Sequence, residues 1–138
     1  MDTDILIHSA RGIDDFVVYL GASLALLAIF ISIYVWITPY REIALIRDGN
    51  VAAAASLSGA VLGFAIPLAH AVAQSITLLE MAMWGVVALA VQTLVFLVMR
   101  RIMPGIASDI PAGKLAPGVF LGSVSLATGL LNSACMTY

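Results

Sequence analysis

The sequence has very little charge. Only 10% of its 138 residues are Asp, Glu, Lys or Arg, whereas 62% are hydrophobic. A soluble domain carries about 25% charged residues. Too little charge is present to cover a surface that faces water, so the composition indicates an integral membrane protein in contact with the lipid bilayer. The six basic residues are also too few and too scattered to form a nucleic-acid surface.

Cysteine and catalytic motifs are nearly absent as well. The single cysteine, Cys135, excludes an intramolecular disulfide and a metal site built on cysteines. The sequence has no phosphate-binding glycine loop, no Ser-His-Asp set and no paired catalytic carboxylates. We therefore expect no enzyme activity, no cofactor and no metal. We also expect no secretory signal, because the start is acidic and no cleavage site follows.

Four stretches are long and apolar enough to cross a membrane, which requires about 20 residues. We predict spans at 16–37, 51–73, 81–99 and 115–136, with Asn50 as the N-cap of the second. The first and third spans are rich in Leu, Ile, Val and Phe, and the other two are rich in Ala, Gly and Ser. None contains Asp, Glu, Lys or Arg. This argues against a proton relay or a typical secondary transporter.

Five of the six basic residues lie in the segments 38–50 and 100–114. Short loops rich in Lys and Arg stay cytoplasmic. We therefore predict that both loops are cytoplasmic and that both termini, including an acidic arm at 1–15, are periplasmic or extracellular. The loop charges that we single out are Arg41, Glu42, Arg47, Asp48, Arg100, Arg101 and Lys114.

The two halves of the sequence resemble each other. In each half, a bulky span is followed by a charged loop with an early proline and then by a small-residue span. Pro39, Gly49 and Gly59 correspond in this order to Pro104, Gly113 and Gly122. We predict an all-α membrane protein whose four transmembrane helices form two tandem helical hairpins, at 16–73 and 79–138, as a parallel repeat. Chance similarity between two apolar hairpins is the alternative.

Small and polar residues form a stripe on each of the second and fourth spans. Their steps of three and four residues place them on one helix face. The stripes comprise Ser56, Gly59, Gly63, Pro67 and His70 on the second span and Gly118, Gly122, Ser125, Gly129 and Asn132 on the fourth. Such stripes favour close helix packing in lipid. The same residues can instead line a narrow pore, and both hold in an oligomer with an axial pore.

Individual polar residues within the spans carry further expectations. Pro67 should kink its helix, and Gln92 should form an interhelical hydrogen bond. His70 should lie near the membrane interface, in a small polar cluster whose other members are Gln74, Glu80, Asn132 and Ser133. Whether His70 or Cys135 has a functional role is left open.

Three segments carry a resemblance to a known family. They are the run ITPYREIALIRDGNVAAAASLSGAVLGFAIPL, the segment WGVVALAVQTLVFLVMR and the ending GLLNSACMTY. They resemble the YjfL-type family of small bacterial membrane proteins, which carry the domain of unknown function 350, often in two copies. The resemblance implies a four-helix protein of the bacterial inner membrane. It also implies a channel-like role or a link to envelope stress or polyamines, without established site residues.

Two function classes follow. The first is a passive pore for a small solute or ion, whose path is formed by the stripes. The second is a non-transporting membrane partner that recruits a cytoplasmic protein through the basic loops. The loop charges have a simpler interpretation too, in which they fix topology and meet lipid phosphates. A single copy of this size buries little surface, so we expect a homo-oligomer.

Overall fold

A computed structural model describes residues 1–136 of the chain. The helices in this range are α1 (Asp2–Ile37), α2 (Glu42–Arg47), α3 (Val51–Gln74), α4 (Leu78–Ile102), α5 (Ile106–Asp109) and α6 (Leu115–Cys135). Within the described range, α1, α3, α4 and α6 are long and apolar enough to cross a membrane. The last two residues of the second predicted repeat, 137 and 138, lie outside the described residues.

The first helix is longer than the span predicted from the sequence. α1 begins at Asp2 rather than near Phe16, and the predicted acidic arm is its first part. No proline interrupts this segment, and Asp2 and Asp4 in the first turn complement the positive end of the helix dipole. With 36 residues, α1 is about 54 Å long, whereas the hydrocarbon core is about 30 Å thick. The other long helices match their predicted spans to within a few residues.

The short helices α2 and α5, which the sequence did not predict, end in the same way. Each is followed by a glycine with positive φ, 86° at Gly49 and 78° at Gly113. The Gly49 amide donates to the Ile46 carbonyl and the Gly113 amide to the Ile110 carbonyl, both at 3.0 Å. Glycine ends helices in this left-handed conformation without steric cost. Each glycine therefore lets the chain turn directly into the next long helix.

Asn50 is the N-cap of α3, as predicted, and it also joins the two loops. Its side-chain oxygen accepts a hydrogen bond from the Ala53 amide at 2.9 Å. Its side-chain nitrogen donates to the carbonyl of Ile110 in the other loop at 2.8 Å. One side chain thus fixes the start of α3 against the segment that follows α5.

The core lies around α3. Eleven of the 24 residues of α3 are buried, and the helix runs through Pro67 without interruption. Of α1, only Phe30 and Tyr34 are fully buried. Phe30 stacks on Phe64 of α3 with ring centroids 4.6 Å apart, and Tyr34 meets Phe96 of α4 edge to face at 5.1 Å.

Two names describe the ends of this bundle. The loop end carries α2 and α5, with the segments 38–50 and 103–114. The link end carries the short connection 75–77 between α3 and α4, together with the C-terminal end of α6.

Candidate functional site: a buried carboxyl beside a glycine-packed helix pair

The glycines of the two predicted stripes lie against each other within one chain. A methyl group added to Gly59 would overlap the backbone of Gly122, and one added to Gly129 would overlap the backbone of Gly63. Gly118 lies equally close to the backbone of Ala52. α3 and α6 therefore approach backbone to backbone, as small residues permit in a membrane. The two backbones are in direct contact along the glycines, and a surface groove of about 230 Å³ beside this contact is lined in part by Gly59 and Gly122.

The polar stripe residues near the middle of the bundle face other helices. The hydroxyl of Ser56 in α3 lies 3.2 Å from the hydroxyl of Tyr34 in α1, and either can be the donor. The Ser125 carbonyl accepts a hydrogen bond from the Gln92 side chain of α4 at 2.9 Å. This second bond confirms the interhelical role predicted for Gln92. The side-chain oxygen of Gln92 and the hydroxyl of Thr93 are buried with no hydrogen-bond partner in the described range.

At the link end, the predicted polar residues bond to backbone groups. The Nε2 atom of His70 lies 3.1 Å from the Met136 carbonyl. The Glu80 carboxylate accepts from the Ile76 amide at 2.8 Å. The side-chain nitrogen of Asn132 is buried without a hydrogen-bond partner among residues 1–136.

The largest departure from the sequence prediction is at the loop end. Glu42, which we expected among the exposed loop charges, is 0% exposed. It is the first residue of α2 and lies beside Tyr34 and Tyr40, with Ser56 bonded to Tyr34. In the part of the chain that the structure describes, neither Glu42 oxygen nor the Tyr40 hydroxyl has a hydrogen-bond partner. We call Tyr34, Tyr40, Glu42 and Ser56 the Glu42 cluster.

Burial changes the acidity of this cluster. It raises the pKa of Glu42 from the ordinary value of 4.5 to about 8, and the neighbouring Thr38 hydroxyl offsets part of that shift. The pKa of Tyr40 is raised as well, first by burial and then by the charge of Glu42. Among the described residues, the one ion pair joins Lys114 to Asp109 at 3.2 Å. No basic side chain therefore neutralises Glu42, and its carboxyl is mostly protonated at neutral pH.

A sequence signal for this burial exists, although we missed it. Glu42, Leu45 and Ile46 follow the steps of three and four that place residues on one helix face. Leu45 and Ile46 pack on the core, while Arg41 and Arg47 are exposed. The charges that surround Glu42 in the sequence hid an amphipathic helix that turns this carboxyl inward.

The remaining predicted loop charges lie on the surface. The exposed set is Arg41, Arg47, Asp48, Arg100, Arg101 and Lys114. Arg100 donates to the Ile37 carbonyl at 3.5 Å, at the end of α1. Within residues 1–136, no group of three or more His, Cys, Asp or Glu side chains could hold a metal ion.

These features define a multi-pass, all-α membrane protein with four membrane-length helices. The chain matches the family described as Domain of Unknown Function (DUF350) over residues 6–136, and it belongs to that family. The family predicted from the three sequence segments is thereby confirmed.

Relatives in two bacteria are similar to most of the chain. The UPF0719 inner membrane protein YjfL of Escherichia coli (strain K12) is 39% identical over 123 residues, which cover 89% of this chain and 93% of the relative. The UPF0719 transmembrane protein YshE of Bacillus subtilis (strain 168) is 26% identical over 91 residues, which cover 66% and 68%. No solved structure gives a significant match.

Proposed function

We propose that the chain is a channel-like protein of the bacterial inner membrane, which lets a small cation cross passively through the interior of its own helix bundle. The observation that carries this proposal is a series of buried polar atoms, at three depths, that have no hydrogen-bond partner among residues 1–136. They belong to Tyr40 and Glu42 at the loop end, Gln92 and Thr93 in the middle, and Ser75 and Asn132 at the link end.

Buried polar atoms are costly when they remain unpaired, so most such atoms in proteins are paired. Atoms of this kind are available to replace the water of a passing ion, as pore-lining groups do in channels. All six basic side chains of the chain are exposed, so no positive charge in the interior opposes a cation. This arrangement favours a cation over an anion or a neutral solute.

The path differs from the one predicted along the stripes. The space beside the glycines of α3 is occupied by the backbone of α6, and the reverse holds for the glycines of α6. A path along these glycines would therefore require the two helices to separate. The interior route is closed instead by side chains, namely the stacked rings of Phe30 and Phe64 and the ring of Phe96. Side chains change rotamer more readily than two helices part, so the interior is the better route.

Liposome flux tests this proposal. Purified protein in liposomes should release Na⁺ or K⁺ faster than empty liposomes do. Replacing the central amide by Gln92→Leu should lower that flux about tenfold, because a lost polar contact worth about 1.4 kcal/mol in the barrier changes a rate tenfold. Gln74→Leu is the matched control, since Gln74 is exposed at the link end. A well-folded protein without flux would refute the proposal.

A second candidate is the non-transporting partner that recruits a cytoplasmic protein. One observation favours it, the hydrogen bond by which Asn50 holds the two loops together as one surface. Arg41, Arg47, Arg100 and Arg101 are exposed around that surface. Crosslinking from Arg47→Cys in a Cys135→Ser background should then trap a protein in cells, and Arg11→Cys on α1 is the control at the other end.

Topology, duplication and assembly complete the proposal. The loop end faces the cytoplasm, because it and the adjoining last turn of α4 hold five of the six basic residues. A cysteine at Gly49 in a Cys135→Ser background should then be shielded from an impermeant thiol reagent in intact cells. The matching turns at Gly49 and Gly113 support a duplicated hairpin. The exposed apolar side chains of α1 leave room for a second copy of the chain.

A further inference from the structure

The Glu42 cluster combines features that a packed core does not require. A carboxyl group with 0% exposure normally has a basic partner or several hydrogen-bond donors, because burying an unpaired charge is expensive. Here both carboxyl oxygens lack a partner among the described residues, and so does the hydroxyl of Tyr40. These neighbouring oxygens therefore keep their capacity to coordinate a ligand, which a packed core does not require.

The chemistry of the cluster is that of oxygen ligands around a single negative charge. Tyr34 comes from α1, Tyr40 from the turn after α1, Glu42 from α2 and Ser56 from α3. Three helices and a turn therefore supply oxygens to one small region. The titratable groups that face Glu42 are Tyr34 and Tyr40, and Ser56 is neutral. No ion pair among residues 1–136 involves this cluster, because the one ion pair there joins Lys114 to Asp109.

We propose that the Glu42 cluster binds one small monovalent cation, with the ionised Glu42 carboxylate as the charged ligand and the oxygens of Tyr34, Tyr40 and Ser56 as neutral ligands. A cation supplies the positive charge that the fold does not. Hard cations prefer such oxygen ligands, and a divalent ion is bound through more carboxylates or with its water retained. Below the Glu42 pKa, binding releases the carboxyl proton to bulk water and the charge of the site does not change; above it, the ion neutralises a carboxylate that is already ionised.

The surroundings provide access to the cluster. A surface cavity of about 460 Å³ lies against the turn between α1 and α2, and its lining includes Thr38, Tyr40, Arg41 and Glu42. The carboxyl oxygens themselves are buried, so an ion in this cavity would reach them only after a movement of the side chains that separate the two. The site does not require that ions cross the membrane, so its test is separate from the flux measurement.

Equilibrium binding of radioactive Na⁺ to the purified full chain in detergent tests the site directly. At about pH 9, above the Glu42 pKa, binding should saturate near one ion per chain. At about pH 6.5 the proton competes, and the apparent affinity should fall by about tenfold or more. Na⁺ should also raise the thermal unfolding midpoint relative to choline at equal ionic strength, because a ligand of the folded state stabilises it.

The variants are chosen so that a folding defect does not decide the result. Glu42→Gln keeps the size of the side chain and should abolish both Na⁺ binding and its dependence on pH. Asp48→Asn is the matched control, because Asp48 is an exposed carboxylate in the same loop. Tyr40→Phe keeps the carboxyl and removes one neutral ligand, so it should weaken binding about tenfold.

Several outcomes would overturn the site. They are absent Na⁺ binding by folded protein at high pH, undiminished binding by Glu42→Gln, or, if that variant does not fold, undiminished binding by Tyr40→Phe. Saturable binding without liposome flux would support the site and refute permeation. Flux without Na⁺ binding at Glu42 would support permeation and refute the site.

Discussion

The contact between α3 and α6 and the contact of α1 with the rest of the chain are built from opposite kinds of residue. α3 and α6 meet through glycines, so that the backbone of Gly59 lies on that of Gly122. α1 meets the bundle through large side chains, and only Phe30 and Tyr34 of its 36 residues are fully buried. A methyl group added to Gly21 of α1 would meet no described atom within 4 Å outside its own stretch of helix.

The difference separates a rigid part of the molecule from a part that can move. Backbone-to-backbone packing in lipid depends on many close dispersion contacts and tolerates no added atom. A contact made by a few side chains can shift when those side chains change rotamer. The unpartnered carboxyl of Glu42 lies at this second contact, beside Tyr34. α3 and α6 thus form the more rigid part of the bundle, and Glu42 and Tyr34 lie where α1 packs against it.

The strongest test of this comparison is Gly59→Leu. The new side chain would overlap the Gly122 backbone and force α3 and α6 apart, so we expect a loss of about 3 kcal/mol or more of stability. Thermal unfolding in detergent, followed by circular dichroism, measures the loss. Gly21→Leu introduces the same side chain where nothing lies within 4 Å, and it should change little. Equal effects of the two variants would end the distinction between the helix contacts.

The next largest effect should be the dependence of stability on pH. Because the folded-state pKa of Glu42 is raised from 4.5 to about 8, the unfolded chain gives up this proton first. The contribution of Glu42 to the free energy of unfolding is therefore complete below about pH 4.5 and is lost as the pH rises towards 8. In a buffer without alkali cations we expect a fall of about 2 kcal/mol or more.

Glu42→Gln should remove most of that slope, whereas Asp48→Asn should retain it. Unfolding midpoints measured across the pH range give the two curves. A slope that survives in Glu42→Gln would assign the pH dependence to another group.

A smaller effect is expected at Asn50, whose side chain joins the loop between α1 and α3 to the segment between α5 and α6. Asn50→Ala removes the α3 cap and the bond to Ile110, and it should cost about 1–2 kcal/mol. Asn50→Asp keeps the cap but lacks the donor, so it should lose only the part due to the tether. Chemical unfolding of the three proteins separates these contributions. Identical stability of Asn50→Asp and the unchanged protein would remove any role for the tether.

The smallest expected effect is at the α1 contact itself. Tyr34→Phe removes the hydroxyl that bonds to Ser56 and leaves the ring on Phe96, so it should cost about 1 kcal/mol. Tyr19→Phe, on the partly exposed part of the same helix, should cost almost nothing. A loss above about 3 kcal/mol for Tyr34→Phe would mean that α1 is held as firmly as the glycine pair.

The spans and their small-residue faces could be predicted because each depends on local pattern. Length and apolarity place α3, α4 and α6, and a step of three or four residues identifies the glycines. Asn50 was predictable because an asparagine before an apolar run is a common helix start. The amide of Gln92 was predictable for a similar reason, since a buried polar group in a membrane finds a partner.

The burial of Glu42 was harder to predict, because its spacing to Leu45 and Ile46 marks an amphipathic helix of only six residues. The exposed Arg41 and Arg47 flank Glu42 and give the segment the composition of a charged loop. The length of α1 was not predicted, because apolarity marks only the part of a helix that crosses lipid. Charge prevents burial in lipid, but it does not prevent a helix from continuing into water. That the glycine stripes meet in one chain, rather than between copies, also depends on the tertiary arrangement.

Because α1 is long and unbroken, a small tilt at its buried contact would displace its far end by a much larger distance. No proline occurs between residues 2 and 38, so a tilt about the buried contact at Phe30 would move the helix as a single rod, once the looser contacts of Tyr19, Ala22 and Leu26 give way. Asp2 lies 28 positions before Phe30, about 42 Å along the axis. A tilt of about 10° at Phe30 carries Asp2 sideways by about 7 Å. The same tilt would move Tyr34, four positions beyond Phe30, by about 1 Å, which is enough to open or close a hydrogen bond.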